Sequence, residues 1–297
     1  MVTGLARSQK SQNAYRGRYH LYLVGLGIRG PAQVTRETEA ILRRCTRIYY
    51  AHTDPAVGAY LRQLCPRVFN LAGYHAHGRS HRRTYDAIAA ALTRGATRRP
   101  PVAFAVFGHP LVYVSLANWL LARPPRGLRV KALPAVSALD CLFVDLRLDP
   151  ADAGLQMYDA NQLLLKRRPL QPDVPCLIWQ PATVESTYAT TAWSRPQRFH
   201  RLRDYLLGFY PREHRVVLAL SATTSRRTVP RLKRIALGRL EQARREIDAG
   251  ATLFIPATHD RPVADVAFKT LALSAAHLRE ITYPPRARPS QAGRRNR

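Results

Sequence analysis

The stretch VAFAVFGHPLVYVS, residues 102–115, decides the fold class. Its first six residues form an apolar run with no polar interruption, which is typical of a strand buried on both faces of a parallel sheet. Pro101 precedes the run and Gly108 follows it, so residues that interrupt regular structure bound the strand on both sides. The pattern predicts a buried parallel strand whose carboxyl end leads into a loop, the place where α/β proteins bind ligands.

A similar pattern opens the chain and continues beyond this strand. The run YHLYLVG, residues 19–25, is followed by the glycine turn GLGIRGP and then by apolar residues at helical spacing from Val34 to Cys45. Strands and helices alternate through both halves of the chain, with a helix predicted over residues 235–249. We therefore predict an α/β protein with two tandem domains that meet near residues 133–136 and enclose a ligand cleft.

The composition places limits on this organisation. The predicted domains cover residues 19–134 and 135–258, a helical extension covers 259–283, and basic tails cover 1–18 and 284–297. The chain has 47 Lys plus Arg against 19 Asp plus Glu, which gives a formal charge of +28. Such a charge attracts anionic partners. Because the basic residues are scattered and no nucleic-acid-binding motif is present, we do not expect binding to nucleic acid.

The cysteines and the amino terminus indicate the compartment. Cys45, Cys65, Cys141 and Cys176 lie far apart among apolar residues, so they are interpreted as small buried hydrophobes in a reduced cytoplasm. The first 18 residues contain no apolar signal-peptide segment, and no apolar run is long enough to span a membrane. The sequence predicts a cytoplasmic protein without a membrane partner.

The glycine turn has two interpretations. Gly25, Gly27 and Gly30 match GxGxxG between a strand and a helix, as in dinucleotide-binding proteins, and Asp54 could bind a ribose. Alternatively, the glycines permit tight turning without phosphate binding, because Pro31 delays the start of the helix to about residues 33–35. The sequence leaves both interpretations open.

Several motifs in order carry a resemblance to a known family. GHPLVYVS (108–115) and VGLGIRGP (24–31) are followed by LPAVSALDCLFVDLRLDP (133–150), LQMYDANQLLLKRRPL (155–170), LIWQPA (177–182) and TLFIPA (252–257). Together they resemble the tetrapyrrole methylase family, the class III methyltransferases, and are most similar to the catalytic domain of the borosin peptide α-N-methyltransferases. The similarity covers residues 20–257.

The resemblance implies a methyl donor, S-adenosylmethionine, held in the cleft between the two domains. It assigns ten contacts to this cofactor: Gly108, His109, Leu111, Val112, Tyr113, Val136, Ser137, Ala138, Gln156 and Met157. Small residues in this set allow a ligand to approach the backbone closely. Trp179 is interpreted as a core aromatic in preference to a shelf for adenine.

The resemblance also assigns a catalytic group to the segment before the GHP strand. Tyr85 is the expected orienting or proton-accepting residue, assisted by Arg82 or His81, with Tyr74 nearby. The chain departs from the family pattern at His81, where the family has arginine, and at Phe107, where it has tyrosine. The segment from Tyr74 to Arg83 could instead be a solvated basic loop. A further alternative is metal binding by His75, His77 and His81, but the sequence does not predict a metal site.

These features lead to a function hypothesis. We expect a methyltransferase that uses S-adenosylmethionine, acts on a peptide backbone amide supplied in trans, and forms a homodimer. An acidic leader on the peptide would suit the +28 charge. The alternatives are methylation of a small anionic substrate, a polycarboxylate tetrapyrrole, or an inactive scaffold that still binds the methyl donor.

Overall fold

The structure is a computed structural model that describes residues 19–74, 81–184, 196–223, 227–246, 250–262 and 264–266. Met1–Thr258 form one compact unit, and His259–Arg297 form a second. The first unit contains two sheets, one from each half of that unit, with helices beside them. The predicted α/β class with two tandem sheets is confirmed. The division at residues 134 and 135 and the limits of the extension and tails stay predictions.

Ten strands build the two sheets among the described residues. They are β1 Leu21–Gly25, β2 Arg47–Tyr50, β3 Val68–Asn70, β4 Val102–Val106, β5 Val130–Ala132, β6 Gln156–Asp159, β7 Cys176–Trp179, β8 Arg215–Leu220, β9 Arg231–Ala236 and β10 Thr252–Ile255. The first sheet has the order β3-β2-β4-β1-β5 and is entirely parallel. The second has the order β6-β7-β10-β8-β9, in which only β6 and β7 pair in parallel.

Eight α-helices connect these strands in the described part of the chain. They are α1 Arg36–Leu42, α2 Pro55–Leu64, α3 His81–Arg98, α4 Ser115–Ala122, α5 Ala138–Leu146, α6 Pro150–Ala153, α7 Ala160–Lys166 and α8 Pro196–Leu206. Short 3-10 helices cover Gly30–Gln33, Ala72–Tyr74, Pro181–Thr183 and Leu237–Glu246.

The first sheet is covered on both faces. All five residues of β1 and all five of β4 are buried, as the uninterrupted apolar runs predict. Because side chains alternate along a strand, Tyr22 and Val24 pack with α1 and α2, whereas Leu21 and Leu23 pack with α3 and α4. Helices therefore cover both faces of the sheet. Because its strands are parallel, their carboxyl ends lie along one edge.

Local sequence fixes where the helices begin. Thr35 caps α1 by accepting a hydrogen bond from the Thr38 N–H, so the helix starts after the proline, as predicted. Asp54 caps α2 in the same way, with Pro55 at the first helical position. Ser137 begins α5 with a reciprocal capping box to Asp140.

The second sheet also has two packed faces, and it contains one correction. Cys176 and Ile178 face a core built with α7 and α8, whereas Leu177 and Trp179 face α5. The helix predicted from Ile235 is wrong at its start, because Ile235 belongs to β9 and pairs with Val216 of β8. This hairpin ladder provides backbone partners that overrule the local helical spacing.

Three of the four thiols have the buried surroundings that the sequence predicts, whereas Cys141 is only half-buried. All four cysteines are free, and three of them are buried. Burial raises the pKa of both Cys45 and Cys176 to about 12, so neither forms a reactive thiolate at neutral pH. Within the described ranges, no helix combines the length and apolar character that crossing a bilayer requires.

Candidate functional site

A cavity of about 340 Å³ lies between the two sheets. On the first-sheet side, its wall is formed where parallel strands end: Ile28 follows β1, Ala51 follows β2, and Phe107 follows β4. The volume is that of a small-molecule site, and the wall is mainly apolar with a few polar groups. This is the edge at which open α/β sheets bind ligands.

The second sheet contributes the opposite wall. Trp179 lies at the end of β7, Ser221 directly follows β8, and Thr252 begins β10. Because β10 runs antiparallel to its neighbours, its first residue pairs with Trp179 on one side and with Ala219 on the other. The start of β10 and the ends of β7 and β8 therefore meet at the same edge of the sheet.

A close backbone approach joins the loops after β1 and β4. Gly27 and Gly108 form an isolated bridge in which each N–H donates to the other residue's carbonyl, at 3.3 and 3.0 Å. A Cβ at Gly25 would lie 2.2 Å from the Gly108 carbonyl oxygen and 2.5 Å from the Ala135 Cβ. Only glycine fits at position 25, and its role is to seat the GHP loop.

The glycine turn is closed by a side chain of the same chain. Gln33 Oε1 accepts hydrogen bonds from the N–H groups of Ile28 and Arg29, both at 2.9 Å. These are the amides that a phosphate-binding turn would offer to its ligand. The structure therefore favours tight turning without phosphate binding at this turn. The Asp54 carboxylate caps α2 by accepting the Ala56 N–H.

His109 lies near enough to Asp140, in the first turn of α5, to act on it electrostatically. His109 Nδ1 accepts the N–H of Leu111 at 3.1 Å, so the neutral ring carries its proton on Nε2 and can donate from there. Partial burial alone would raise the pKa of Asp140. Hydrogen bonds from the Ser137 hydroxyl and N–H, both at 2.6 Å, and the nearby His109 lower it below its ordinary value.

Two phenols enter the same cavity from different elements. Tyr85 lies on α3, and burial raises its pKa above the ordinary value, so it stays a neutral hydroxyl at neutral pH. Tyr113 lies on the GHP loop with its ring centroid 5.4 Å from that of Trp179. Burial and the charge of Asp159 both raise the pKa of Tyr113. Both groups can donate a hydrogen bond and are poor bases.

Backbone strain also concentrates at the cavity. Four residues other than glycine have a positive φ, among the residues with described geometry, and Arg147 and Arg167 are explained as helix C-caps. The other two, Tyr113 at 59° and Gln180 at 53°, both line the cavity. Such conformations cost about 1 kcal/mol or more and tend to occur where a site needs a particular geometry.

The structure brings together part of the predicted site. Six predicted residues line the cavity, namely Gly108, His109, Val112, Tyr113, Ala138 and Tyr85. Leu111, Val136, Ser137, Gln156, Met157, Tyr74 and Arg82 are outside its wall. Arg82 is exposed, whereas the turn at Tyr74 is tied to α3 because the Thr84 hydroxyl donates to the Tyr74 carbonyl at 3.0 Å. His81 begins α3, but its side chain lies outside the described residues, as do His75 and His77.

Gln156 and Met157 are absent from the wall for a physical reason. The Gln156 amide donates to the carbonyls of Gln171 and Val174 and accepts the Gln171 N–H, so it holds the loop before β7. Met157 is 46% exposed. Their assignment as cofactor contacts stays a prediction.

Sequence reasoning missed most of the second wall. Trp179 is a core aromatic, as interpreted, but it lines the cavity as well, and Gln180 follows it there. The rule that ligands bind at the carboxyl ends of strands would have indicated Trp179 and Ser221. No local signal marks Thr252, because its place depends on the antiparallel direction of β10.

Two curated relatives of this chain come from the fungi Gymnopus fusipes and Omphalotus olearius. It is 26% identical over 239 residues to the methyltransferase/ribosomally synthesized cyclic peptide gymnopeptides precursor of Gymnopus fusipes, covering 80% of this chain and 57% of that protein. It is 30% identical over 203 residues to the corresponding omphalotin A precursor of Omphalotus olearius, covering 68% and 49%. The chain thus spans about half to three-fifths of these relatives' lengths.

Solved structures and a family model agree on the fold. Uroporphyrin-III-C-methyltransferase from Thermus thermophilus aligns with a TM-score of 0.56 at 18% identity, covering 80% of this chain and 91% of that one. A second structure of a Thermus thermophilus uroporphyrin-III C-methyltransferase, complexed with S-adenosylhomocysteine, aligns with a TM-score of 0.54 at 17% identity and the same coverage. The model of the tetrapyrrole (corrin/porphyrin) methylases matches residues 20–236. The chain therefore belongs to the tetrapyrrole methylase family.

Proposed function

We propose that this protein transfers the methyl group of S-adenosylmethionine to a backbone amide of a peptide that arrives as a separate chain. The observation that carries the proposal is the cavity at the GHP loop, which is enclosed by both sheets. The fungal relatives, whose names describe methyltransferases joined to cyclic peptide precursors, support a peptide acceptor. Because the chain spans only part of those relatives, the acceptor and its mode of delivery are part of the proposal.

The residues present fit such a cofactor. The cavity has the volume of a small-molecule site, apolar walls suited to a purine and carbon chain, and polar groups at the loops. We assign the methyl donor to the GHP loop and the start of α5, with contacts from Gly108, His109, Val112, Tyr113 and Ala138. Leu111, Val136, Ser137, Gln156 and Met157 complete the assigned set, although they lie outside the wall.

The acceptor amide is proposed to meet Tyr85. Bound S-adenosylmethionine would supply the methyl group to the acceptor nitrogen and would leave as S-adenosylhomocysteine. The amide proton must leave to water in the same process. Because burial raises its pKa, the Tyr85 phenol donates to the amide oxygen rather than accepting the proton. Arg82, His81 and Tyr74 are the assigned assistants on the same segment.

The charge of the chain favours an acidic acceptor. At +28, the protein attracts a peptide with an acidic leader, and the same field would suit a tetrapyrrole with several carboxylates. We also propose a homodimer and a cytoplasmic location, the latter because all four cysteines are free thiols. Light scattering tests the dimer, since a monomeric mass would refute it.

Incubation with candidate acceptors tests the proposed function. The purified chain, S-adenosylmethionine and an acidic-leader peptide are expected to give peptide masses higher by whole methyl increments, with fragmentation that places the methyl on the backbone. Methylation of a polycarboxylate tetrapyrrole instead would overturn the peptide assignment. Binding of S-adenosylhomocysteine without transfer to either acceptor would indicate a scaffold, for which Phe107 gives a reason because it has no polar atom in the cavity wall.

A further inference from the structure

Gln33 makes contacts that the donor assignment does not use. It ends the 3-10 helix Gly30–Gln33, directly after the glycine turn, and its Oε1 accepts the N–H groups of Ile28 and Arg29. Ile28 lines the cavity. One side-chain oxygen therefore fixes two consecutive backbone amides, the first of which belongs to a residue of the cavity wall.

The other end of the Gln33 amide reaches the second half of the chain. Gln33 Nε2 donates to the Cys141 Sγ on α5 at 3.2 Å, across 108 positions of sequence. The same helix supplies Ala138 and Leu142 to the cavity wall. A single side chain thus connects the glycine turn to a helix that lines the same cavity.

Gly27 shows how closely Gln33 is seated. A Cβ on Gly27 would lie 2.3 Å from the Gln33 Cβ and 2.7 Å from its Oε1, and the residue has φ of +68°. Any side chain at position 27 would therefore displace Gln33 and strain the backbone. The second glycine of GxGxxG serves in this chain to admit Gln33.

We propose that Gln33 is a positioning residue that sets the distance between the glycine turn and α5, and thereby the width of the cavity that takes the methyl donor. It acts through Ile28 and α5 and does not touch the cofactor. This inference rests on the proposed function in one respect: it takes S-adenosylmethionine as the ligand whose affinity depends on the width of the cavity.

Three variants distinguish the contribution of the Gln33 oxygen, which accepts from the turn, from that of its N–H group, which donates to Cys141. Gln33→Leu removes both the oxygen and the N–H group of the amide, whereas Gln33→Glu keeps an oxygen for the two backbone N–H groups and loses the N–H group that donates to the Cys141 sulfur. Cys141→Ala loses the same bond from the other side. Gln162→Leu is the matched control, because Gln162 is an exposed glutamine of α7 whose backbone N–H, not its side chain, is bonded to Asp159.

Affinity for S-adenosylhomocysteine, measured by calorimetry on the full chain, is the first measurement. We expect Gln33→Leu to weaken binding by about tenfold or more, and Gln33→Glu and Cys141→Ala to weaken it by only a few-fold. The double variant Gln33→Glu/Cys141→Ala should lose no more than either single variant, because both remove one bond. Additive losses, or a Gln33→Leu protein that unfolds more easily yet binds normally, would overturn the proposal.

Hydrogen exchange without ligand is the second measurement. We expect the Ile28 and Arg29 amides to exchange at least about tenfold faster in Gln33→Leu and at the wild-type rate in Gln162→Leu, because exchange follows local opening. Unchanged rates in Gln33→Leu would refute the positioning role. If the wild-type chain fails to bind S-adenosylhomocysteine, the proposed function fails, and the exchange rates still decide the role of Gln33.

Discussion

At the scale of single residues, the cavity contains two neutral phenols, and Gly25 and Gly27 in the neighbouring turn have no room for a Cβ. Tyr85 and Tyr113 both have a raised pKa, so the cavity contains hydrogen-bond donors and little basic character at neutral pH. Phe107 lines the same wall, and its ring lies 5.6 Å from that of His52. Under the proposed function, these phenols would donate to a negative charge that develops on the acceptor.

The pH dependence of transfer tests the state of Tyr85. Because its folded pKa is raised, the phenol stays protonated from neutral pH to beyond its ordinary value, so a rate that needs the donor should stay flat between about pH 7 and 9. Tyr85→Phe should lower kcat by about a hundredfold or more. A wild-type rate that rises tenfold per pH unit would show that a base dominates. Tyr60→Phe is the control, since the pKa of Tyr60 is also raised by burial but the residue lies outside the cavity wall.

The fit at Gly25 can be tested by adding one methyl group. Gly25→Ala places a Cβ against the Gly108 carbonyl and Ala135, so the free energy of unfolding should fall by about 1–3 kcal/mol. Affinity for S-adenosylhomocysteine should fall as well, because the GHP loop must move. Gly73→Ala is the control: nothing lies within 4 Å of its added Cβ, and stability should change by less than about 0.5 kcal/mol. Equal stabilities in urea unfolding would contradict the packing argument.

At the scale of elements, helix starts and strand ends place the site. Each parallel strand of the first sheet delivers its following loop to the same edge, and the N-terminus of α5 faces that edge with its capping box. The cap orders the residues that precede Ala138, a residue of the cavity wall. Stability of α5 and geometry of the site are therefore linked.

Removal of the capping carboxylate should destabilise the protein in a pH-dependent way. Asp140→Ala is expected to lower the free energy of unfolding by about 1 kcal/mol at pH 7. The folded pKa of Asp140 lies below its unfolded value, so its contribution is present above the unfolded pKa and disappears as the pH falls through the folded one. Urea unfolding should therefore show wild type and variant converging in acid. A constant difference would contradict this, and Asp152→Ala, an exposed acid in α6, should have little effect at either pH.

At the scale of the whole molecule, the ligand site is a product of two sheets. Neither sheet forms the cavity by itself, because Ile28 and Phe107 come from the first and Trp179 and Thr252 from the second. A ligand bound there contacts both halves of the unit and stabilises their association. Binding should therefore be visible as global stability.

Thermal unfolding tests this coupling and the identity of the ligand. At a concentration about 100 times its Kd, S-adenosylhomocysteine should add about 2.7 kcal/mol to the free energy of unfolding, which raises Tm by about 5–10 °C for a unit of this size. NAD should not change Tm, because Gln33 occupies the amides of the glycine turn. A shift with NAD alone would restore the dinucleotide interpretation.

The sequence by itself determined the first sheet, the α/β class, the family and the GHP edge of the site. Uninterrupted apolar runs report burial on both faces, and Pro31 after the glycine turn delays the start of the next helix. Signals of this kind are local, so they can be interpreted without a partner.

Only the tertiary structure decided the second wall, the closure of the glycine turn and the role of Gln156. The direction of β10, the bond from Gln33 to Cys141 and the loop held by Gln156 all depend on residues distant in sequence. The spacing of the glycines is the same whether the amides of the turn bind a phosphate or a glutamine side chain. The helical pattern that begins at Ile235 is overruled because Ile235 pairs with Val216 of β8. The physical reason is that these features follow from the free energy of long-range contacts, which the local sequence pattern does not contain.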